Sequence, residues 1–247
     1  MKNKKSKVLK CSFRLSFAKV KARELMLADE NYIKLLLAII ITVANSMVPY
    51  ILLNMIYGII TPVSYFIILT LSEIFIIANM LYGIMKMVIR MSDGEETELA
   101  DLFCGFASIK NVAVSLLSAV LIILPLCVPV IMSFAVAMVL QAFSALETVN
   151  GLIAVGIIII FITPAIYLTC RMMPAYYFIC GGNGIKYSFS KAFYITKRRA
   201  RKIFAFGIKF LLLTALSFFA VLLPFLFYIL PHTLCTYCVG IKTLCEK

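Results

Sequence analysis

The stretch "FIILTLSEIFIIAN" places one carboxylate, Glu73, in the middle of an otherwise uncharged apolar run. An ionised acid at the centre of a membrane-spanning helix costs about 2.5–3.5 kcal/mol, so such a residue is held neutral, bonded to another helix, or used on an ion or proton path. Asn45, Asn54, Asn79 and Gln141 are the polar side chains of the apolar runs that offer it company. A structural acid that holds helices together and a proton-handling acid both fit this pattern.

The tail "PHTLCTYCVGIKTLCEK" spaces His232, Cys235, Cys238 and Cys245 as H-x2-C-x2-C-x6-C, residue types that zinc accepts. Only one C-x-x-C occurs, and three donors within seven residues of a helix diverge poorly. Cysteine also recurs as a small apolar filler at Cys104, Cys127, Cys170 and Cys180. Packing is therefore expected ahead of a redox pair or a metal site, and no cofactor is expected. Hydrolytic chemistry needs a general acid and base and usually metal carboxylates. With one histidine and one acidic loop, the chain supplies no catalytic set, and an enzyme is not expected. No Walker, Rossmann, H-E-x-x-H or GxxxG pattern is present.

The elements that must carry these residues follow from hydropathy. Apolar residues make up 63% of the 247, charged residues 14%, and the mean hydropathy is +1.04, a composition suited to lipid. Windows 35–60, 111–146, 151–170 and 210–230 hold no charge, and 63–85 holds only Glu73. Each reaches or exceeds the roughly 20 residues a helix needs to cross a bilayer. Transmembrane strands would alternate, and "LLLAIIITVAN" and "GLIAVGIIII" do not. The expected fold class is all-α: a polytopic helical membrane protein with five to six transmembrane helices plus basic amphipathic interfacial helices. The spans are expected at about 34–57, 63–89, 111–146, 151–178 and 203–230, within one helical domain over 32–247. A break near Pro224 would make a sixth segment over 225–241. Window 111–146, with Pro125 and Pro129, fits one long kinked helix or a short hairpin. "ETVNG" is expected to turn, and "GGNG" at 181–184 to stop a helix.

The charge is one-sided. Of 24 Lys and Arg, ten lie in residues 2–34, three at Lys86, Arg90 and Lys110, and nine from Arg171 to Lys209, while the connections at 58–62 and 146–150 have none. That alternation is the positive-inside pattern of a multi-pass cell-membrane chain with a cytoplasmic N-terminus. The first apolar window lacks a small-residue cleavage signal, so it is expected to stay as an anchor. No soluble stretch is long enough for an attached enzymatic domain.

Residues 1–31 set Leu9, Phe13, Phe17, Val20 and Leu27 at helical spacing among basic residues, as in a helix lying on a membrane surface. "SFSKAFYITKRRARKIF" repeats the theme: Ile185, Phe189, Ala192, Phe193 and Thr196 recur at threes and fours. Lys186, Lys191, Lys197, Arg198, Arg199, Arg201 and Lys202 occupy much of the rest. Each basic residue near an anionic surface contributes about 1 kcal/mol, so the expected partner of these segments is a bilayer with anionic headgroups. A membrane-protein partner is compatible with the same surfaces, and nucleic acid is not expected. In "SDGEETELADLFCGF" five acids precede apolar residues, which suggests an interfacial helix near 96–109 within a largely solvated loop.

Three stretches also carry a resemblance. "DGEETELADLFCGF", "ITPAIYLTCRMMPAYYFICGGNGIKYSFSKAF" and "GIKFLLLTALSFF" with "ILPHTLCTYC" resemble a Gram-positive bacterial family of integral membrane proteins of unassigned chemistry. That family is related to the membrane domain of glycerophosphoryl diester phosphodiesterases. The matching positions are Asp101, Leu102, Phe103, Gly105 and Phe106, then Pro164, Tyr167, Met173, Pro174 and Tyr177, then Ser190. The chain departs from the pattern at "TPA", at "CGGN" and at His232 after Pro231. The resemblance covers about 90–241 and implies a six-span cytoplasmic-membrane protein. Two functions of different class are consistent with all this: a structural or accessory membrane component, and a small transporter or export component built around Glu73.

Overall fold

In the computed structural model, residues 15–28, 30–57, 61–142, 147–197 and 228–245 are described. They form helices α1 (Leu15–Leu27), α2 (Asn31–Met55) and α3 (Pro62–Asp93), a 3-10 helix (Leu99–Gly105), then α4 (Ile109–Ala142), α5 (Glu147–Cys180), α6 (Ile185–Thr196) and α7 (Leu230–Cys245). No strand occurs among the described residues. Helices α2 and α3 are each long and apolar enough to cross a membrane. The 3-10 helix and Ile109–Pro125, bent by 77°, make a third such unit if they are counted together.

Local chemistry sets the helix ends. The Thr61 hydroxyl accepts the Ser64 N–H at 3.3 Å with Pro62 behind it, a capped start whose missing N–H costs nothing. Both α3 and α5 close on a left-handed glycine. Gly94 has φ 78° with the Glu95 N–H on the Arg90 carbonyl at 3.0 Å. Gly182 has φ 87° with the Asn183 N–H on the Phe178 carbonyl at 3.1 Å. The "GGNG" stop is thus found where it was expected.

Among the described residues, packing is concentrated around the C-terminal half of α3. On α3, the residues from Ala78 to Met91 are mostly buried, whereas those from Val63 to Ile77 are mostly exposed. The core joins Ala22 and Met26 of α1, Leu35 and Ile39 of α2, Met80 to Met91 of α3, Leu102, Tyr176 and Ile179 of α5, and Cys235 and Cys238 of α7. The 3-10 helix lies directly on α3: a Cβ on Gly83 would overlap the Leu102 carbonyl oxygen, and one on Gly105 would overlap the Asn79 carbonyl oxygen. Two glycines therefore permit a backbone-to-backbone approach that any other residue would block.

Several expectations change. Of the two alternatives open for window 111–146, the long helix is the one found, through Ala142. "ETVNG" opens α5 instead of turning. The helix expected over 96–109 is reduced to the 3-10 helix, which starts at a capping box in which Asp101 accepts the Glu98 N–H at 3.1 Å. On α1, Phe17, Val20 and Leu27 are exposed, and Ala18, Ala22 and Met26 form the buried face. Helix α1 packs along α7, and small residues let two helix axes come close. Residues 198–227, with Arg198, Arg199, Arg201, Lys202 and most of the span expected at 203–230, lie outside the described residues.

Candidate functional site

The four intramembrane polar candidates do not converge. Asn45 donates from Nδ2 to the Ile41 carbonyl of its own helix at 2.9 Å. Asn54 accepts from the Tyr65 hydroxyl at 3.1 Å, and Tyr65 meets Tyr57 edge-on at 5.2 Å, so this pair closes the α2–α3 hairpin. Asn79 is fully buried; its Oδ1 accepts from the Ser115 hydroxyl at 2.6 Å and its Nδ2 donates to the Phe75 carbonyl at 2.8 Å. Ser118, one turn further along α4, donates to the Ser115 carbonyl at 2.9 Å. Asn54 and Asn79 thereby bond in two separate helix contacts, α2–α3 and α3–α4, while Asn45 bonds within its own helix.

Glu73 stands apart from all three. It is half-buried on α3, and among the described residues it has no hydrogen bond or ion pair. The hydroxyls nearest along the helix are engaged with their own backbone: Thr70 with the Phe66 carbonyl at 2.7 Å, Ser72 with that of Ile68 at 2.8 Å. Phe66, Thr70, Glu73 and Ile77 form one stripe, which continues through Met80, Ile84 and Met87. Met80, Ile84 and Met87 are buried in the core, while Phe66 and Ile77 are 71% and 44% exposed.

Asp93, Glu95, Glu96 and Glu98 of the acidic loop are exposed, and three of its five acids are also paired. Arg90 grips Asp101 with Nη1 at 2.6 and 2.7 Å from its two oxygens, and its Nε reaches Glu95 at 3.0 Å. Lys242 of α7 donates to Asp93 at 2.5 Å and to the Ser92 carbonyl at 2.6 Å, at the C-terminal end of α3. A cation on the last carbonyls of a helix also meets the negative end of its dipole. The partners of Asp101, Glu95 and Asp93 are Arg90 and Lys242. The usable signal was Arg90 itself, a lone arginine within one helical turn of Asp93.

The basic helix α6 docks on α5. Ser188, Ala192 and Thr196 form its buried face. From α5, Arg171 donates to the Thr196 hydroxyl at 3.2 Å and the Phe193 carbonyl at 3.3 Å, and lies over the Phe193 and Tyr167 rings at 5.0 and 5.8 Å. Lys191 sits over Phe178 at 4.6 Å and Tyr187 at 5.4 Å, so this member of the predicted surface set packs on rings. Lys186 and Lys197 are exposed. Helix α6 therefore turns Ser188, Ala192 and Thr196 to the protein and leaves Tyr187 and Tyr194 exposed.

In α7, Cys235 and Cys238 enter the core as free thiols, and His232 stacks on Tyr228 with ring centroids 5.9 Å apart. Among the described residues no three His, Cys, Asp or Glu side chains are grouped so as to hold a metal. No family model, curated protein or solved structure matches the chain.

Proposed function

We propose that this chain is a non-enzymatic structural or accessory component of the cell membrane, acting by contact with lipid and with another membrane protein. The observation that carries the reading is the separation of its polar groups: Asn45 bonds within α2, Asn54 to Tyr65 and Asn79 to Ser115, and among the described residues none reaches Glu73. A translocation path needs polar groups in register along one cavity. The resemblance to bacterial membrane proteins related to the phosphodiesterase membrane domain agrees with a protein of this kind.

The proposed arrangement is multi-pass with the N-terminus in the cytoplasm and six spans. Two features support it. Lysines and arginines gather in alternate connections, and Lys242 pairs with Asp93, which sets the C-terminal end of α7 beside the connection that follows α3. An even number of crossings between α6 and the end of α7 satisfies both. The exposure of Lys186 and Lys197 supports a contact with anionic headgroups.

The competing reading is a small transporter in which Glu73 carries a proton. Vesicles of phosphatidylethanolamine and phosphatidylglycerol, loaded with a pH-sensitive dye, separate the two. The accessory reading expects the protein to leave proton entry under a pH gradient at the level of empty vesicles. Entry that rises with the protein and vanishes in Glu73→Gln would overturn it.

A further inference from the structure

The Glu73 stripe of α3 is a packing seam filled only in its lower half. Met80, Ile84 and Met87 continue it into the core, whereas Phe66, Thr70, Glu73 and Ile77 meet no other described helix closely enough to be buried. Glu73 lies midway along the apolar window 63–85, about 26 Å along the helix from Arg90 at a rise of about 1.5 Å per residue. An acid at that level needs a counter-charge or a proton.

We infer that the Phe66–Thr70–Glu73–Ile77 stripe docks a transmembrane helix of a different membrane protein, one that carries a lysine or arginine at mid-bilayer. Charge complementarity selects this occupant. No Lys or Arg occurs in 35–60, 63–85, 111–146, 151–170 or 210–230, so a second copy in the same orientation brings no cation to the level of Glu73. A symmetric pair through the stripe would set carboxylate against carboxylate. Arg171, the intramembrane-side cation of α5, is already engaged by Thr196 and the Phe193 carbonyl. Phe66 and Ile77 supply the apolar shoulders that exclude water and strengthen the central pair. The inference rests on the accessory reading and specifies where and by what chemistry the partner attaches.

The test uses full-length protein and a synthetic poly-leucine transmembrane peptide with one central lysine, each carrying one dye of an energy-transfer pair, in phosphatidylcholine–phosphatidylglycerol vesicles at neutral pH. The lysine peptide is expected to associate about tenfold more tightly than its central-leucine counterpart, and Glu73→Leu to abolish the difference. Glu73→Lys is expected to prefer a central-glutamate peptide, a gain that misfolding does not produce. Equal association of lysine and leucine peptides with the native chain, or a lysine preference that survives Glu73→Leu, overturns the inference. Failure of the parent reading looks different. A native partner that still co-extracts with Glu73→Leu removes only this docking site, whereas lysine preference without any native partner removes the accessory reading.

Discussion

Asn79 and Ser115, 36 residues apart in the chain, meet at 2.6 Å in a fully buried contact between α3 and α4. The same Asn79 lends its backbone carbonyl to the close approach of Gly105, so one residue fixes both the helix that follows and the turn that leads to it. In lipid, where no water competes, such a bond specifies which faces pair more than it adds to stability.

A double-mutant cycle on this pair has a definite expectation. Asn79→Leu and Ser115→Ala should each destabilise, with a coupling of about 0.6–1.7 kcal/mol, the range found for polar pairs between membrane helices. Denaturant titration in lipid–detergent discs measures it. Strict additivity would mean that the bond is absent or replaced by water.

The glycine seam predicts an asymmetry between two alanine substitutions. Gly83→Ala must push the 3-10 helix off α3 and is expected to cost about 3 kcal/mol, the upper range for overpacking. Gly94→Ala meets no atom and carries only the strain of φ 78°, expected at about 1–2 kcal/mol. Equal losses in thermal unfolding would contradict the close approach.

Lys242 ties the C-terminal helix to the end of α3. Lys242→Ala removes the bond to Asp93 and the cap on the Ser92 carbonyl, and a fall in melting temperature of about 2–4 °C is expected. The double exchange Asp93→Lys with Lys242→Asp should recover part of it, more at low salt than at high salt. No recovery at any salt concentration would argue that the pair is incidental.

Topology gives a fourth expectation. A reporter fused after Lys247 should signal from the same side as one inserted after Gly94, because Lys242 and Asp93 are in contact. Signals from opposite sides would require an odd number of crossings and remove the six-span arrangement.

How much of this was legible beforehand depended on the range of the physics involved. Hydropathy windows located α2 and α3 to within a few residues, and the glycine stop after Cys180 was readable because a left-handed residue is a local demand. The face of α1 was not readable. Phe17 and Val20, expected to face a membrane surface, stay exposed, but that Ala18 and Ala22 face a closely packed helix depends on which helix is the neighbour. The pairing of Arg90 with Asp101 was not readable for a similar reason: the turn at Gly94 brings them together, and its consequence for side chains is tertiary. Of the polar candidates, type and depth were visible in sequence, but that Asn79 is bonded and Glu73 is not depends on which helices meet. Ser115 and Ser118, one turn apart in an apolar helix, were the overlooked sign of a polar contact.

The central claim, that this chain works by contact with another membrane protein, is tested most directly by extracting it from its native membrane in a lipid-preserving polymer and weighing what accompanies it by native mass spectrometry. The account predicts a membrane protein at fixed stoichiometry, lost or reduced in Glu73→Leu. The chain with lipid alone, or with a bound small solute, would contradict it.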